Sequence, residues 1–213
     1  MILISWKELF RWIVLGIFII SLAITITINF TPLYYYFVYH YQLASLVNLS
    51  SGEVISEYHR LLAYLNFPWI THLKLIFPST LAAKQHFEDV KHLFLINYLC
   101  LVMTVFPASK YLSELKKTSS WWRLMPLCRM VVSILIVILL FAGVDFNDFF
   151  IFFHRALFRN QDWLFDPSKD PIIKVLPENF FAAAFGLFFL ILLFSLSLGF
   201  FLGKKSLKKR TEQ

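Results

Sequence analysis

The stretch FFAAAFGLFFLILLFSLSLGFFLG, residues 180–203, runs for 24 residues without one charged side chain. About 20 consecutive apolar residues cross the hydrocarbon core of a bilayer as a helix, and lipid offers the backbone no other hydrogen-bonding partner. The stretch therefore predicts a transmembrane helix. Three more apolar runs lie at about residues 12–30, 91–107 and 129–149, the second interrupted by Asn97 and Cys100. The composition agrees. Only 15% of the 213 residues are charged and 59% are hydrophobic, whereas a soluble domain keeps about a quarter of its residues charged. The 25 Phe residues suit lipid and interfacial contact. The expectation is one all-α integral membrane domain, residues 1–213, with four transmembrane helices and long connections at about 31–90 and 150–179.

The first run has the flanks of a secretory signal, with Lys7 and Arg11 ahead of it. Its best cleavage site, Ser21-Leu22-Ala23, is poor and lies inside the apolar run, so the run is expected to remain as an uncleaved span.

Charge orients the bundle. Residues 1–11 carry net +1, residues 108–129 net +4 and residues 204–213 net +4. The connection between the first two spans carries net −1, and the connection between the last two net −2. Positive segments stay in the cytoplasm, so both termini are expected there and the two long connections outside. The same distribution explains a pI near 9.4 without nucleic acid. The bases cluster beside span ends, where anionic lipid attracts them, and no recognition fold accompanies them.

The first outer connection exceeds the length of ordinary loops and is expected to carry structure of its own. Residues 53–65 read as a helix with Ser50 or Ser51 as its cap, and Pro68 and Pro78 break the chain again. Tyr34, Tyr35, Tyr36, Tyr39, Tyr41 and Trp69 suit a membrane interface. Short strands are compatible with this region.

Two histidines stand out in the outer segments. His86 lies three residues before Asp89, which puts both on one helical face and lets the carboxylate orient or charge the imidazole; His92 falls on another face. His154 follows the third span and precedes Asn160, Asp162, Trp163 and Asp166-Pro167. Turn and capping roles account for these polar residues as well as chemistry does, and each histidine could be an interfacial side chain. Counting from the short inner connection, His86 and His154 lie 23 and 25 residues along their helices. At about 1.5 Å per residue their depths agree to about 3 Å if both helices are continuous. Two imidazoles at one depth, with carboxylates beside them, make a candidate acid–base site.

Other chemistries lack their signatures. No serine sits in a Gly-x-Ser-x-Gly elbow, and neither a His-Glu-x-x-His motif nor a P-loop is present. Cys100 and Cys128 fall within or at the inner end of spans, so neither serves as an outer nucleophile.

Taken whole, the chain resembles the bacterial lipoprotein intramolecular transacylases. The resemblance rests on Gln85-His86-Phe87-Glu88-Asp89-Val90-Lys91 and on residues 145–181. In the latter, the telling features are Phe153-His154, Phe158-x-Asn160-x-x-Trp163, Asp166-Pro167 and Pro177-Glu178-x-Phe180-Phe181. It implies a substrate lipoprotein whose N-terminal cysteine carries an S-diacylglyceryl group and a free α-amine, and no cofactor. It also implies transfer of the sn-2 acyl chain to that amine, giving an N-acyl, S-monoacylglyceryl (lyso) product. His86 would be the general base, oriented by Asp89, and His154 would stabilise the oxyanion or protonate the departing oxygen, with the roles exchangeable. Asp166 and Glu178 are supporting candidates, to hold His154 or bind the substrate ammonium. Two rivals from other classes remain: a non-catalytic lipid-binding or assembly subunit, and a metal-dependent membrane hydrolase using His86, Asp89, His92 and His154.

The charge distribution makes the topology testable. A membrane-impermeant thiol reagent applied to intact cells should label Ser168→Cys and leave Ser119→Cys unlabelled; the opposite pattern would invert the orientation.

Overall fold

The computed structural model describes residues 5–211, apart from the side chains of residues 141, 142 and 144. Residues 1–4 and 212–213, which the charge reading assigns to cytoplasmic ends, lie outside the described residues. The regular elements described are all helical. They are α1 (Trp6–Ile28), α2 (Thr31–His40), α3 (Ser51–Asn66), α4 (Leu81–Lys117), α5 (Met125–Val144), α6 (Phe146–Leu157) and α7 (Glu178–Thr211). Short 3-10 segments occur at Leu43–Val47, Trp121–Leu124 and Pro171–Val175.

The four apolar stretches lie in four helices long and apolar enough to cross a membrane. Their outward faces are apolar. On α4, Leu99, Val102, Met103 and Phe106 are 61–76% exposed, a patch that water would penalise and lipid accepts. The third predicted span does not reach residue 149 as one helix. Asp145 adopts an extended conformation and its carboxylate accepts from the Asp148 N–H at 3.2 Å, so α5 stops and a newly capped helix, α6, begins.

Strands, compatible with the outer sequence, do not occur among the described residues. Local signals there favour helices. Pro32 sits in the first turn of α2, where its missing N–H costs nothing. Ser50 caps α3 in a capping box with Glu53, as the sequence suggests.

The chain packs as two units. The first comprises residues up to 26, 97–144 and those from 187 onward. Its internal polar centre is Glu8, only 7% exposed, which accepts from the Tyr111 hydroxyl and pairs with Arg123. Arg11 binds Glu114 through two hydrogen bonds of 3.0 and 2.9 Å. A buried carboxylate is tolerated only when paired in this way. Within the apolar part, Asn97 donates to Thr25 Oγ1 at 2.9 Å. At Gly203 a Cβ would lie 3.1 Å from the Trp121 carbonyl and closer still to Met125, so α7 packs tightly on the start of α5. Both cysteines, Cys100 and Cys128, belong to this unit and are unpaired.

The second unit comprises residues 27–96 and 145–186. Tyr34 stacks on Tyr58 with ring centroids 3.7 Å apart, and Phe180 packs edge-on against both. The Tyr34 hydroxyl donates to the Val175 carbonyl at 2.9 Å. Tyr34 is 1% exposed, so it is a core residue and not the interfacial aromatic its sequence neighbours suggest. Tyr36, Tyr39, Tyr41 and Trp69 are exposed, as an interfacial role requires. Three buried charges brace the loop between α3 and α4. Glu57 accepts from the Ile76 N–H at 2.7 Å and pairs with Arg60. Lys91 donates to the Ile70 carbonyl and lies over the Tyr64 ring. Asp170 accepts from Thr80 N–H at 2.7 Å and its hydroxyl at 3.1 Å.

Replacing Tyr34 by Phe leaves the Val175 carbonyl buried without its donor, at a cost of about 1–3 kcal/mol. Thermal unfolding of the purified variant in detergent should show a lowered midpoint; an unchanged midpoint would show that the buried hydroxyl contributes nothing.

Candidate active site

His86 occupies the second turn of α4. That helix starts where Thr80 accepts the Ala83 N–H on its hydroxyl, and Asp170 holds Thr80 in turn. His154 lies in the last turn of α6. The two imidazoles meet in the second unit with ring centroids 5.7 Å apart, and each residue is 8% exposed. The helix-by-helix count of depths assumes an unbroken third helix, which the Asp145 break removes. The histidines converge all the same, because α6 is a separate helix.

An aromatic cage surrounds the pair. Phe158 and Phe165 meet the His86 ring edge-on at 4.9 and 5.6 Å. Phe150 and Trp163 lie 4.1 and 4.9 Å from the His154 ring. His154 Nδ1 is 2.8 Å from the Phe150 carbonyl oxygen. A carbonyl can only accept, so Nδ1 carries the proton and the neutral ring keeps its lone pair on Nε2. Burial pushes the His154 imidazolium below the usual histidine range, and the Phe150 bond opposes this in part. Buried His86 Nδ1 has no hydrogen-bond partner among the described residues. A buried orphan nitrogen costs free energy, and an incoming polar group would relieve that cost.

Asp89 does not bond to His86. Its carboxylate accepts from the Asn160 amide at 2.9 Å and from Gln85 at 3.4 Å. The Asn160 carbonyl accepts from the Trp163 indole N–H at 3.2 Å. Asp89 is thus linked to His154 through Asn160 and Trp163. Asp162 serves this turn with its backbone, donating its N–H to Asn160 Oδ1 at 3.2 Å.

Two other expected participants lie elsewhere. The Asp166 carboxylate accepts from the Ser168 hydroxyl at 2.6 Å and its N–H at 2.9 Å, and pairs with Lys169. Those Ser168 bonds hold it below the usual carboxylate range, which fits a turn residue. Glu178 is exposed in the first turn of α7, and among the described residues no hydrogen bond ties it to His154. Conversely, the sequence reading passes over Asp170 and Phe165 as parts of the site, and has Phe158 only as part of a family motif. Thr80, two residues after Pro78 and ahead of a helix, is a capping signal that could have drawn attention to what holds it.

The arrangement offers two imidazoles, neither ring bonded to a carboxylate, within reach of one reacting centre. No three His, Cys, Asp or Glu side chains cluster as metal ligands among the described residues; His92 faces outward and Asp89 is engaged by Asn160.

Comparison with known proteins gives the geometry a lineage. A solved structure of the membrane-integral lipoprotein intramolecular transacylase Lit from Bacillus cereus is 26% identical and covers 97% of this chain and 96% of its own, with a TM-score of 0.88. Structures of two variants of that protein, one with a histidine changed to arginine and one with a histidine changed to alanine, match with TM-scores of 0.79. The arginine variant is 27% identical, covering 97% of this chain and 93% of its own; the alanine variant is 26% identical, covering 97% and 94%. No curated protein matches the chain in sequence. The family model described as lipoprotein intramolecular transacylase Lit matches residues 9–181, which include both histidines and the turn between Phe158 and Asp170. With that much of the sequence inside one family and a membrane-integral fold to match, this multi-pass membrane protein belongs to the Lit family of lipoprotein intramolecular transacylases.

Proposed function

We propose that the protein moves the sn-2 acyl chain of an S-diacylglyceryl-cysteine lipoprotein onto the α-amine of the same cysteine, at the outer headgroup level of the membrane. The observation that carries this reading is the buried imidazole pair, 5.7 Å between centroids, with an unpartnered nitrogen on His86. Both reacting groups sit on one cysteine residue. The amine, cysteine carbons, sulfur, two glycerol carbons, ester oxygen and acyl carbon close a medium-sized ring. The nucleophile is therefore already tethered, and the protein need mainly hold the bent conformation.

The Phe150 bond favours His154 as the base, the exchanged form of the sequence-based assignment. The neutral amine attacks the ester carbonyl and a C–N bond forms. His154 Nε2 takes the amine proton, and the oxyanion accepts a hydrogen bond from His86. The C–O bond to glycerol then breaks, and His154 returns the proton to the departing oxygen. No proton is gained or lost overall, and the products are the amide and a free sn-2 hydroxyl. Asp89 and Asn160 are positioning residues, acting on His154 through Trp163.

His86→Ala and His154→Ala should each lower turnover of a diacyl lipopeptide by at least about 10²-fold with normal expression and membrane insertion, while His40→Ala and His59→Ala stay near wild type. In the wild type, kcat should fall on acidification in two steps. The first reflects the α-amine, near a pKa of about 8. The second lies below the ordinary histidine value of about 6.5, because burial keeps His154 neutral to lower pH. A histidine step at or above that value would count against a buried base.

Direct transfer is tested by label pairing. Two diacyl lipopeptides, one with a heavy peptide and the other with a heavy sn-2 chain, are mixed with purified enzyme. Each product should keep its original peptide–acyl pairing. No acyl-enzyme should appear by intact-protein mass spectrometry, and activity should survive mild chelation and Cys100→Ala or Cys128→Ala. Exchange of labels would require a released or enzyme-bound acyl group and would overturn the mechanism.

A further inference from the structure

Next to His154 lies an open depression of about 380 Å³. Phe158 and Trp163, which both contact the His154 ring, form its inner wall. Its remaining lining is Leu164 and four polar residues, Arg155, Arg159, Asn160 and Gln161. Arg155 and Arg159 are exposed, and neither forms an ion pair among the described residues. Two unpaired guanidiniums, with ten N–H donors between them and no acceptor, call for carbonyl or carboxylate oxygens.

We infer that this depression receives the peptide that follows the lipidated cysteine and selects acidic over basic residues there. The inference rests on the proposed transacylation. The amine and the first peptide carbonyl belong to one residue, so the peptide must leave the reacting centre within one residue's length, about 3.5 Å. The depression shares Phe158 and Trp163 with the His154 cage, their ring centroids 5.7 and 4.9 Å from the imidazole, so a peptide leaving the cage can enter it directly. The acyl chains are excluded as occupants by their chemistry, since burying guanidinium and amide groups against hydrocarbon leaves those donors unpaired. A peptide supplies a carbonyl at every residue. A carboxylate at the second or third position would pair with Arg155 or Arg159, and a lysine there would be repelled.

The test uses full-length purified protein in neutral detergent and two diacyl lipopeptides with identical lipid, one continuing Ser-Asp-Asp after the cysteine and the other Ser-Lys-Lys. Wild type should favour the acidic peptide in kcat/KM by about five- to tenfold, the scale two exposed ion pairs supply. The double variant Arg155→Gln/Arg159→Gln should lose that preference through a raised KM for the acidic peptide, with kcat within about twofold. Arg155→Glu/Arg159→Glu should reverse it, and 0.5 M salt should flatten it in the wild type, since exposed pairs are screened. Equal kcat/KM for the two peptides in wild type would overturn the inference while leaving transacylation intact. A loss in the Gln variant that is equal for both peptides and appears only with added phosphatidylglycerol would also overturn it, assigning the arginines to lipid phosphate. No turnover of either peptide by wild type would instead overturn the proposed activity, and this inference with it.

Discussion

The hydrogen bond from the Asn160 amide to the Asp89 carboxylate is the contact on which the site's shape depends. At 2.9 Å it ties the helix carrying His86 to the turn that follows α6. The same asparagine uses its backbone carbonyl to hold the Trp163 indole, and Trp163 covers one face of His154. A hydrogen bond to a carboxylate is stronger than one between neutral groups, so this link is suited to fixing a turn that has no regular secondary structure. The carboxylate here anchors a turn, and its hydrogen bonds go to the side-chain amides of Asn160 and Gln85.

That distinction sets the electrostatics of the pair. A histidine bonded directly to a carboxylate has its imidazolium favoured. Here the hydrogen bond to His154 comes from a neutral backbone carbonyl, and burial among Phe150, Phe158 and Trp163 works the other way. In the proposed mechanism a ring held neutral receives the amine's proton, and the Phe150 bond leaves Nε2 as the nitrogen that takes it. The aromatic cage also lowers the local dielectric, which strengthens any hydrogen bond formed to a developing oxyanion.

Much of this was legible in the sequence, and the parts that were not share a cause. Apolar runs without charge mark membrane helices because lipid leaves no alternative. Ser50 and Glu53 mark a helix start because capping is local. His86 and His154 stood out as titratable groups near predicted span ends. Misreadings arose wherever the outcome depended on a partner distant in sequence. Tyr34 looks like its half-buried neighbour Tyr35 and its exposed neighbour Tyr36, and only its contacts with Tyr58, Phe180 and the Val175 carbonyl bury it fully. Asp89 sits one helical turn from His86, so the local partner was the natural expectation, yet Asn160, 71 residues away, takes its carboxylate. Asp170 carries no local signal of its role, which comes from its bond to Thr80, 90 residues earlier. Asp145 was the exception, a local signal read past: an aspartate ending an apolar run, whose carboxylate starts a new helix.

The buried charged residues of the second unit explain why so small an aromatic site can stay ordered. Glu57, Lys91 and Asp170 each bind backbone groups in the long connection between α3 and α4 or at its end. Loop amides and carbonyls left unpaired would cost about 1–3 kcal/mol each, and charged side chains satisfy them strongly over short distances. Asp170 in particular joins the start of α4, and so the turn that presents His86, to the chain just beyond Trp163. His86 and the His154 cage are therefore linked twice, once through Asp89 and Asn160 and once through Thr80 and Asp170. Two links flanking the histidines constrain rotation as well as separation, which a single link cannot do. For the reaction proposed above, whose nucleophile and electrophile would arrive already tethered, that fixed separation is the main thing left for the protein to provide.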